Sequence, residues 1–295
     1  MKIFNLLLSV FLFSALTAGP CLALDLHTKF RKQREKQRET YTKDTGNIPD
    51  GVMIPELIPL LYQGGEKLKY DISWTGGVKI GEALIEIKKI AGKEDTYNLK
   101  VRITSKNGAF SLVYPVDDRH ITTVQGPERL PIRHESWQKE GFGYRSHKIT
   151  EYNQKTGKYT YWSNDKPPRY FTVSGKTQNE FSGFMASRLM PFQPGKPFVV
   201  PTWADKMRVK VVVETGQTER LKKTILGEVD TIKIMPILTF SGTYDQRGDT
   251  TIWYTNDKCR VPVQVNSKIV IGSLNATLVG WENPACGIYP PVKRY

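Results

Sequence analysis

Asp117, Asp118, Arg119 and His120 stand together in "VYPVDDRHIT". Two carboxylates, a guanidinium and an imidazole are the ingredients of acid–base chemistry. Consecutive residues on a strand face opposite ways, so at most two of the four share a side. The sequence favours a charged turn that closes a meander. "RHES" (Arg133 to Ser136) reads as a further surface strand. No HExxH, GxSxG or phosphate-binding loop occurs. Cys259 and Cys286, with four scattered histidines, offer neither metal-ligand spacing nor a CxxC redox motif. No metal or cofactor is implied, and a binding or structural protein is expected rather than an enzyme.

The compartment follows from the first residues. Lys2 precedes an almost wholly apolar run, Ile3 to Leu16, followed by small residues. This is the pattern of a secretory signal peptide, too short for a transmembrane helix. The competing reading makes Cys21 a lipid attachment point. That chemistry needs a small residue directly before the cysteine, and Pro20 stands there with its fixed φ. Cleavage after Ala23 fits better, leaving an exported, periplasmic chain of 272 of the 295 residues. The net charge of +14 then falls by the one charge of Lys2 to +13. Lys29 to Lys43 holds seven basic and two acidic residues. It reads as a solvated tail able to meet an anionic envelope surface. Nucleic acid is a poor partner for an exported chain.

Two cysteines survive cleavage, and an even pair in an oxidising compartment suggests a Cys259–Cys286 disulfide. It closes a loop of about 26 residues, for which the chain-entropy model gives roughly 3 kcal/mol.

The expected domains are a signal peptide (1–23), a basic tail with a Pro-punctuated linker (24–59) and one β-rich domain (60–295). In "KLKYDISW", Leu68, Tyr70, Ile72 and Trp74 alternate with polar residues, the mark of a half-buried strand. "EALIEI" and the run Tyr97, Leu99, Val101, Ile103 continue an antiparallel meander. "YRSHKITEYNQKTGKYTYW" reads as two strands around a turn. "MRVKVVVE", "LKKTILGE", "VDTIKIMPI", "DTTIWYT", "VPVQVNSKIVIG" and "LNATLVGW" supply six more. "NEFSGFMASRLMP" is the one helix candidate, capped by Asn179, stopped by Pro191 and apolar at Phe181, Phe184, Met185 and Leu189. The fold class is mainly β: a curled antiparallel sheet, barrel or half-barrel, with one short helix. The prolines of "YPPVKRY" and the lysines on outward positions argue against an outer-membrane barrel.

Four pieces of the chain resemble the bacterial envelope family catalogued as domain of unknown function 3108. They are "GEKLKYDISWTGGVKIGEALIEI", "VYPVDDRHIT", "TQNEFSGFMASRLMPFQPG" and "TIWYTNDKCRVPVQVNSKIVIGSLNATL". The resemblance spans most of residues 60–280 and brings no activity, cofactor or catalytic residue with it. The helix in that family often begins with an acid where this chain has Asn179. Gly81 and Gly272 fall between strand runs, where a missing Cβ permits a bend or a close approach.

A sheet of this size can enclose an apolar ligand. The functional expectation is non-catalytic binding of a lipid or other apolar molecule inside the curl. Tyr70, Trp74 and Trp253 are the wall candidates, with Phe184 on a helix across one opening. The alternative is a structural or interaction module with a filled core. Processing is checked by the intact mass of the exported protein, expected to begin at Leu24 without lipid; a diacylglyceryl-modified Cys21 at its N-terminus would refute this.

Overall fold

The computed structural model describes residues 48–293 apart from 64, 76, 106–108, 113, 205, 240–249 and 269–271. The signal segment, Cys21 and the basic stretch Lys29 to Lys43 lie outside the described residues.

Fourteen strands follow in chain order: β1 (Lys67–Trp74), β2 (Val78–Lys89), β3 (Thr96–Thr104), β4 (Asp117–Gln125), β5 (Leu130–Glu140), β6 (Tyr144–Asn153), β7 (Lys158–Ser163), β8 (Arg169–Thr172), β9 (Phe198–Ala204), β10 (Met207–Thr224), β11 (Gly227–Thr239), β12 (Thr250–Thr255), β13 (Pro262–Lys268) and β14 (Ser273–Glu282). The described helices are α1 (Leu57–Tyr62) and α2 (Glu180–Ser187), with a 3-10 turn at Ala109–Leu112. The strands form one sheet in the order β8-β7-β6-β5-β4-β3-β2-β1-β14-β13-β12-β11-β10-β9. Neighbours in the sheet are neighbours in sequence except at β1–β14, where Leu68 stands opposite Trp281 and Tyr70 opposite Leu278. The sheet is open between its edges, β8 and β9, and α2 is the link between those edges.

Helix α2 forms where its cap residues predict. The Asn179 side chain accepts the Ser182 N–H at 2.8 Å, and the Ser182 hydroxyl accepts the Asn179 N–H at 2.9 Å. Its Met185, with Leu189 just beyond the helix, packs on Ile87, Tyr97, Leu99 and Val124. Ala186 and the following Met190 pack on Phe198, Val200, Ile232 and Tyr254. The two halves of the curled sheet thus close on one short segment.

Several elements differ from expectation. "DDRH" is the start of β4 rather than a turn. "MRVKVVVE" and "LKKT" are one strand, β10, and the next turn falls at Ile225 and Leu226. A second helix, α1, lies in the stretch expected as linker; Pro59 is tolerated there because a first helical turn leaves its N–H groups unpaired anyway. That stretch is also docked: Gly51 N–H donates to Val199 O and Val199 N–H to Pro49 O, covering the β9 edge. Pro262 opens β13, next to a register shift, and its carbonyl accepts the Tyr70 hydroxyl at 2.8 Å. Gly81 lies within β2, where an added Cβ would stand 2.6 Å from Thr104 O. Gly272 has φ +81°, and a Cβ there would collide with the Thr75 hydroxyl.

One end of the curl is tied by a buried ion pair. Arg188 and Glu66 have side chains 0% and 1% exposed. The guanidinium donates to both Glu66 oxygens, at 2.6 and 2.9 Å. It also donates to Arg260 O at 3.0 Å and Cys259 O at 3.3 Å. Arg260 returns bonds to the carbonyls of Arg188 and Met190. Cys259 is joined to Cys286, as expected, with Cα atoms 5.8 Å apart. Glu66→Ala leaves a buried cation unpaired, so it should cost about 3–5 kcal/mol in urea unfolding. The double variant Glu66→Leu/Arg188→Met should recover most of that loss. Equal destabilisation of the single and double variants would show that the pair is not the fastening.

Candidate functional site

Cross-strand partners share a face, so the register gives the lining of the curl. On β1, β2 and β3 the inner residues are apolar: Leu68, Tyr70 and Ile72, then Ala83 and Ile85, then Val101 and Ile103. From β4 to β6 the same face turns polar: Asp118, His120 and Thr122, then His134, Ser136 and Gln138, then Ser146, Lys148 and Thr150. The outer face of these strands carries Ile121, Trp137 and Ile149. They share that face with Arg119, Thr123, Arg133, Glu135, Lys139, Arg145 and Glu151, so both faces of these strands are largely polar.

The buried polar groups are mostly bonded to one another. Asp118 accepts the Lys139 N–H at 2.9 Å and the Gln138 amide at 3.4 Å. Gln138 also donates to Glu140 at 3.0 Å and accepts from Lys148 at 2.8 Å. His134 Nδ1 lies 2.9 Å from the Thr122 hydroxyl, which accepts from Asn179 at 3.0 Å and so reaches the cap of α2. Phe181 leans on both imidazoles, 4.7 Å from His120 and 5.8 Å from His134 between centroids. His120 is 2% exposed and neither ring nitrogen has a hydrogen-bond partner. Asp118 and His120 share a face without forming the acid–base couple their spacing invites.

Burial sets the ionisation of this cluster. It raises the Asp118 carboxyl to about 7, with the Glu140 charge adding to the effect. Burial likewise raises Glu180 to about 7. It lowers His134 to about 4, and holds His120 well below the usual imidazole range, where the His134 and Lys148 charges add to it.

Of the four expected ligand contacts, Tyr70, Trp74 and Trp253 belong to or pack against one core cluster, and Phe184 packs against two others. Tyr70 is a core residue, 3% exposed. Trp74 is half-buried at the end of β1 and packs against the same cluster. Phe184 is half-buried on α2, its ring 6.4 Å from Tyr254. Trp253 points away from Ile252 and Tyr254, to the outer face, where its indole N–H donates to Glu219 at 2.9 Å. A register shift beside Trp253 and a polar partner on each neighbouring strand, Lys233 and Gln264, mark that outward side.

Two concavities lie on the outer face. The larger, about 600 Å³, runs over β2–β5, with Leu84, Ile121 and Trp137 between Lys100, Arg102, Arg119 and Lys139. Glu86 and Asp117 are its acids; Asp117 is held by Arg102 at 3.0 Å and Arg119 at 3.6 Å. The smaller lies over β5–β7 beside Ile149, Trp162 and Arg133. No sequence signal for a conventional site marked these residues. Among the described residues no cluster of His, Cys, Asp or Glu could hold a metal, and no helix is long and apolar enough to cross a membrane.

The family model described as a protein of unknown function, DUF3108, matches residues 69–279, and the chain belongs to that family. No curated protein matches it. Among solved structures, a β-barrel-like protein of domain of unknown function DUF1849 from Brucella abortus is similar over 75% of this chain and 98% of its own. The identity is 10% and the TM-score 0.49. A hypothetical protein from Chlamydia trachomatis is similar over 84% of this chain and 100% of its own, at 7% identity and a TM-score of 0.36.

The raised Asp118 carboxyl makes stability depend on pH with a definite sign. The folded state binds this proton more tightly than the unfolded chain, so its contribution is full below about pH 4 and is lost as pH rises through about 7. The two histidines work the other way, losing stability as pH falls below about 6.5. Asp118→Asn removes only the carboxyl contribution. Its urea midpoint relative to wild type should therefore climb between pH 5 and pH 8, reaching a gain on the order of 2 kcal/mol. A pH-independent difference would contradict the assignment.

Proposed function

We propose that the chain is a non-catalytic binding protein of the bacterial envelope that holds an anionic amphiphile, such as a lipid with an acidic headgroup, on its outer face over β2–β5. The observation that carries this reading is the apolar strip Leu84, Ile121 and Trp137 in an outer-face groove lined by Lys100, Arg102, Arg119 and Lys139. Asp118, His120, Ser136 and Gln138 are turned inward at 3% exposure or less, while Ile121 and Trp137 are turned into a basic-rimmed groove. An apolar strip facing outward is stabilised when something apolar covers it. Leu84, Ile121 and Trp137 suit an acyl chain, and Lys100 and Lys139 at the rim suit its acidic head.

The inner lining favours this over a ligand inside the curl. A ligand-sized void leaves its wall residues with exposed area even when sealed. Leu68, Tyr70, Ile103, Ile234, Ile252, Tyr254 and Leu278 are all 5% exposed or less. The interior reading keeps one observation in its favour: the unpartnered imidazole of His120.

Binding of lysophosphatidylglycerol below its micellar concentration, followed by tryptophan emission, separates the two readings. Lys100→Glu/Lys139→Glu should weaken it by about tenfold or more, and Ile121→Glu should weaken it further. Phe184→Ala should leave it unchanged. Unaltered binding by both groove variants sinks the outer-face reading, and loss in Phe184→Ala supports the interior one.

A further inference from the structure

The groove runs toward one end of the curl, and that end carries exposed apolar side chains. Leu112 is 87% exposed, Phe142 78% and Tyr144 41%. They come from two connections, the 3-10 turn before β4 and the β5–β6 hairpin, and the segment leading into β4 is fastened to that hairpin. Gly141 N–H donates to Pro115 O at 2.8 Å, Val116 bridges to Glu140, and the Tyr114 ring lies under Gly141. Trp137, at the edge of the groove, is 36% exposed and stacks on His147 at 5.3 Å between centroids.

Cations surround this tip. Arg145 is exposed, and its guanidinium donates to Tyr144 O at 2.8 Å, which places its charge beside the Phe142 turn. Lys139 is exposed on the last turns of β5, and Arg119, with its side chain 59% exposed, stands beside it on β4. Lys148, on the inner face and bonded to Gln138 at 2.8 Å, lies 5.9 Å over the Tyr144 ring. The acids of the region are engaged: Asp117 by Arg102 and Arg119, and Glu140 by the Gln138 amide.

We infer that the β5–β6 tip and the Leu112 turn form a membrane-docking surface that inserts Leu112, Phe142 and Tyr144 among the headgroups of an anionic bilayer. Separate apolar side chains on a projecting tip have no complementary pocket requirement, which suits a fluid interface. Tyr144 joins an apolar ring to a polar hydroxyl, the chemistry of the headgroup layer. Lys139 and Arg145 meet acidic headgroups beside the inserted side chains. The docked tip sets the mouth of the groove against the bilayer, so an amphiphile can pass between them. The inference rests on the proposed groove only for that passage; docking stands on the tip alone.

Flotation with phosphatidylethanolamine–phosphatidylglycerol vesicles, against phosphatidylcholine vesicles, tests it on the processed chain. Wild type should float with the anionic vesicles only. Leu112→Asp/Phe142→Asp and Lys139→Glu/Arg145→Glu should each lower partitioning by about tenfold or more. Ile121→Glu, which spoils the groove, should float as wild type, and Leu112→Asp/Phe142→Asp should still bind monomeric lysophosphatidylglycerol. A second readout is independent of any loss of folding: Phe142→Trp should gain blue-shifted emission, quenched by brominated acyl chains, when vesicles are added. Wild-type flotation of the Leu112→Asp/Phe142→Asp variant, or an unshifted Trp at position 142, overturns the inference and assigns vesicle binding to another part of the chain.

Discussion

The arrangement of this protein depends on a buried charge. Placing the Arg188 guanidinium in an interior costs several kcal/mol of lost hydration, and only a close set of acceptors offsets it. Glu66 supplies two oxygens and the turn after β12 supplies the carbonyls of Cys259 and Arg260. Glu66 is itself satisfied further by the Asn283 amide at 3.4 Å, and Asn283 also donates to Leu60 O at 2.9 Å. These residues come from the start of β1, the end of α2, the β12–β13 turn and the end of β14. Their meeting is possible only in one register of the whole sheet. A hydrophobic contact at this point would tolerate slippage, whereas a five-donor guanidinium does not. Specificity of register is the role this pair has for the fold, beyond any net stability.

That fastening matters because the topology is otherwise a simple chain of hairpins. A meander of fourteen strands has two edges, and edges invite pairing with other chains. The protein brings its first and last strands together at β1–β14 and moves its opening to β8 and β9. The β9 edge is then covered. Pro49 and Gly51 bond to Val199, and Gln178 exchanges bonds with Pro201 and Trp203. Val199 and Trp203 turn their N–H groups toward this covering segment, so the missing N–H of Pro201 falls on the same side and no sheet bond is lost. Gln154 spans the gap from the other half, donating to Pro131 O at 2.9 Å and Thr177 O at 3.0 Å. Helix α2 is thus both the link across the opening and the body on which the two halves pack.

The sequence was legible wherever hydropathy and geometry agreed. β1, β2, β3 and β14 alternate apolar and polar residues, and the capped helix announced itself through Asn179 and its apolar spacing. The Cys259–Cys286 pairing followed from number and compartment. Reading stopped where local rules were overridden. Asp118 and His120 look like turn residues, yet they are inner positions of β4, satisfied or enclosed by groups from β5 and α2 that no local window contains. Prolines concealed α1 and β9 because their tolerance depends on which N–H the structure leaves unused. Trp253 has the same alternation as a core residue, but its face was set by the register shift opposite β13. The type of element is a local property; the side a residue faces depends on all the strands before it.

The polar inner face of β4–β6 accounts for the misreading of β4. A sheet face is assigned inward when its side chains are apolar, and here the inner side is polar as well as the outer. Such an arrangement persists only when the buried groups bond to each other, and Gln138 meets that need by joining Asp118, Glu140 and Lys148. His120 is not matched in this way; it is held between Phe181 and the sheet without a hydrogen-bond partner. The compensation inside is therefore incomplete. Ile121 and Trp137 face outward, together with a basic rim and an apolar tip at the end of the same two strands. An apolar strip, its basic rim and an apolar tip thus lie at one end of the same strands, which is the physical ground for assigning that side to binding.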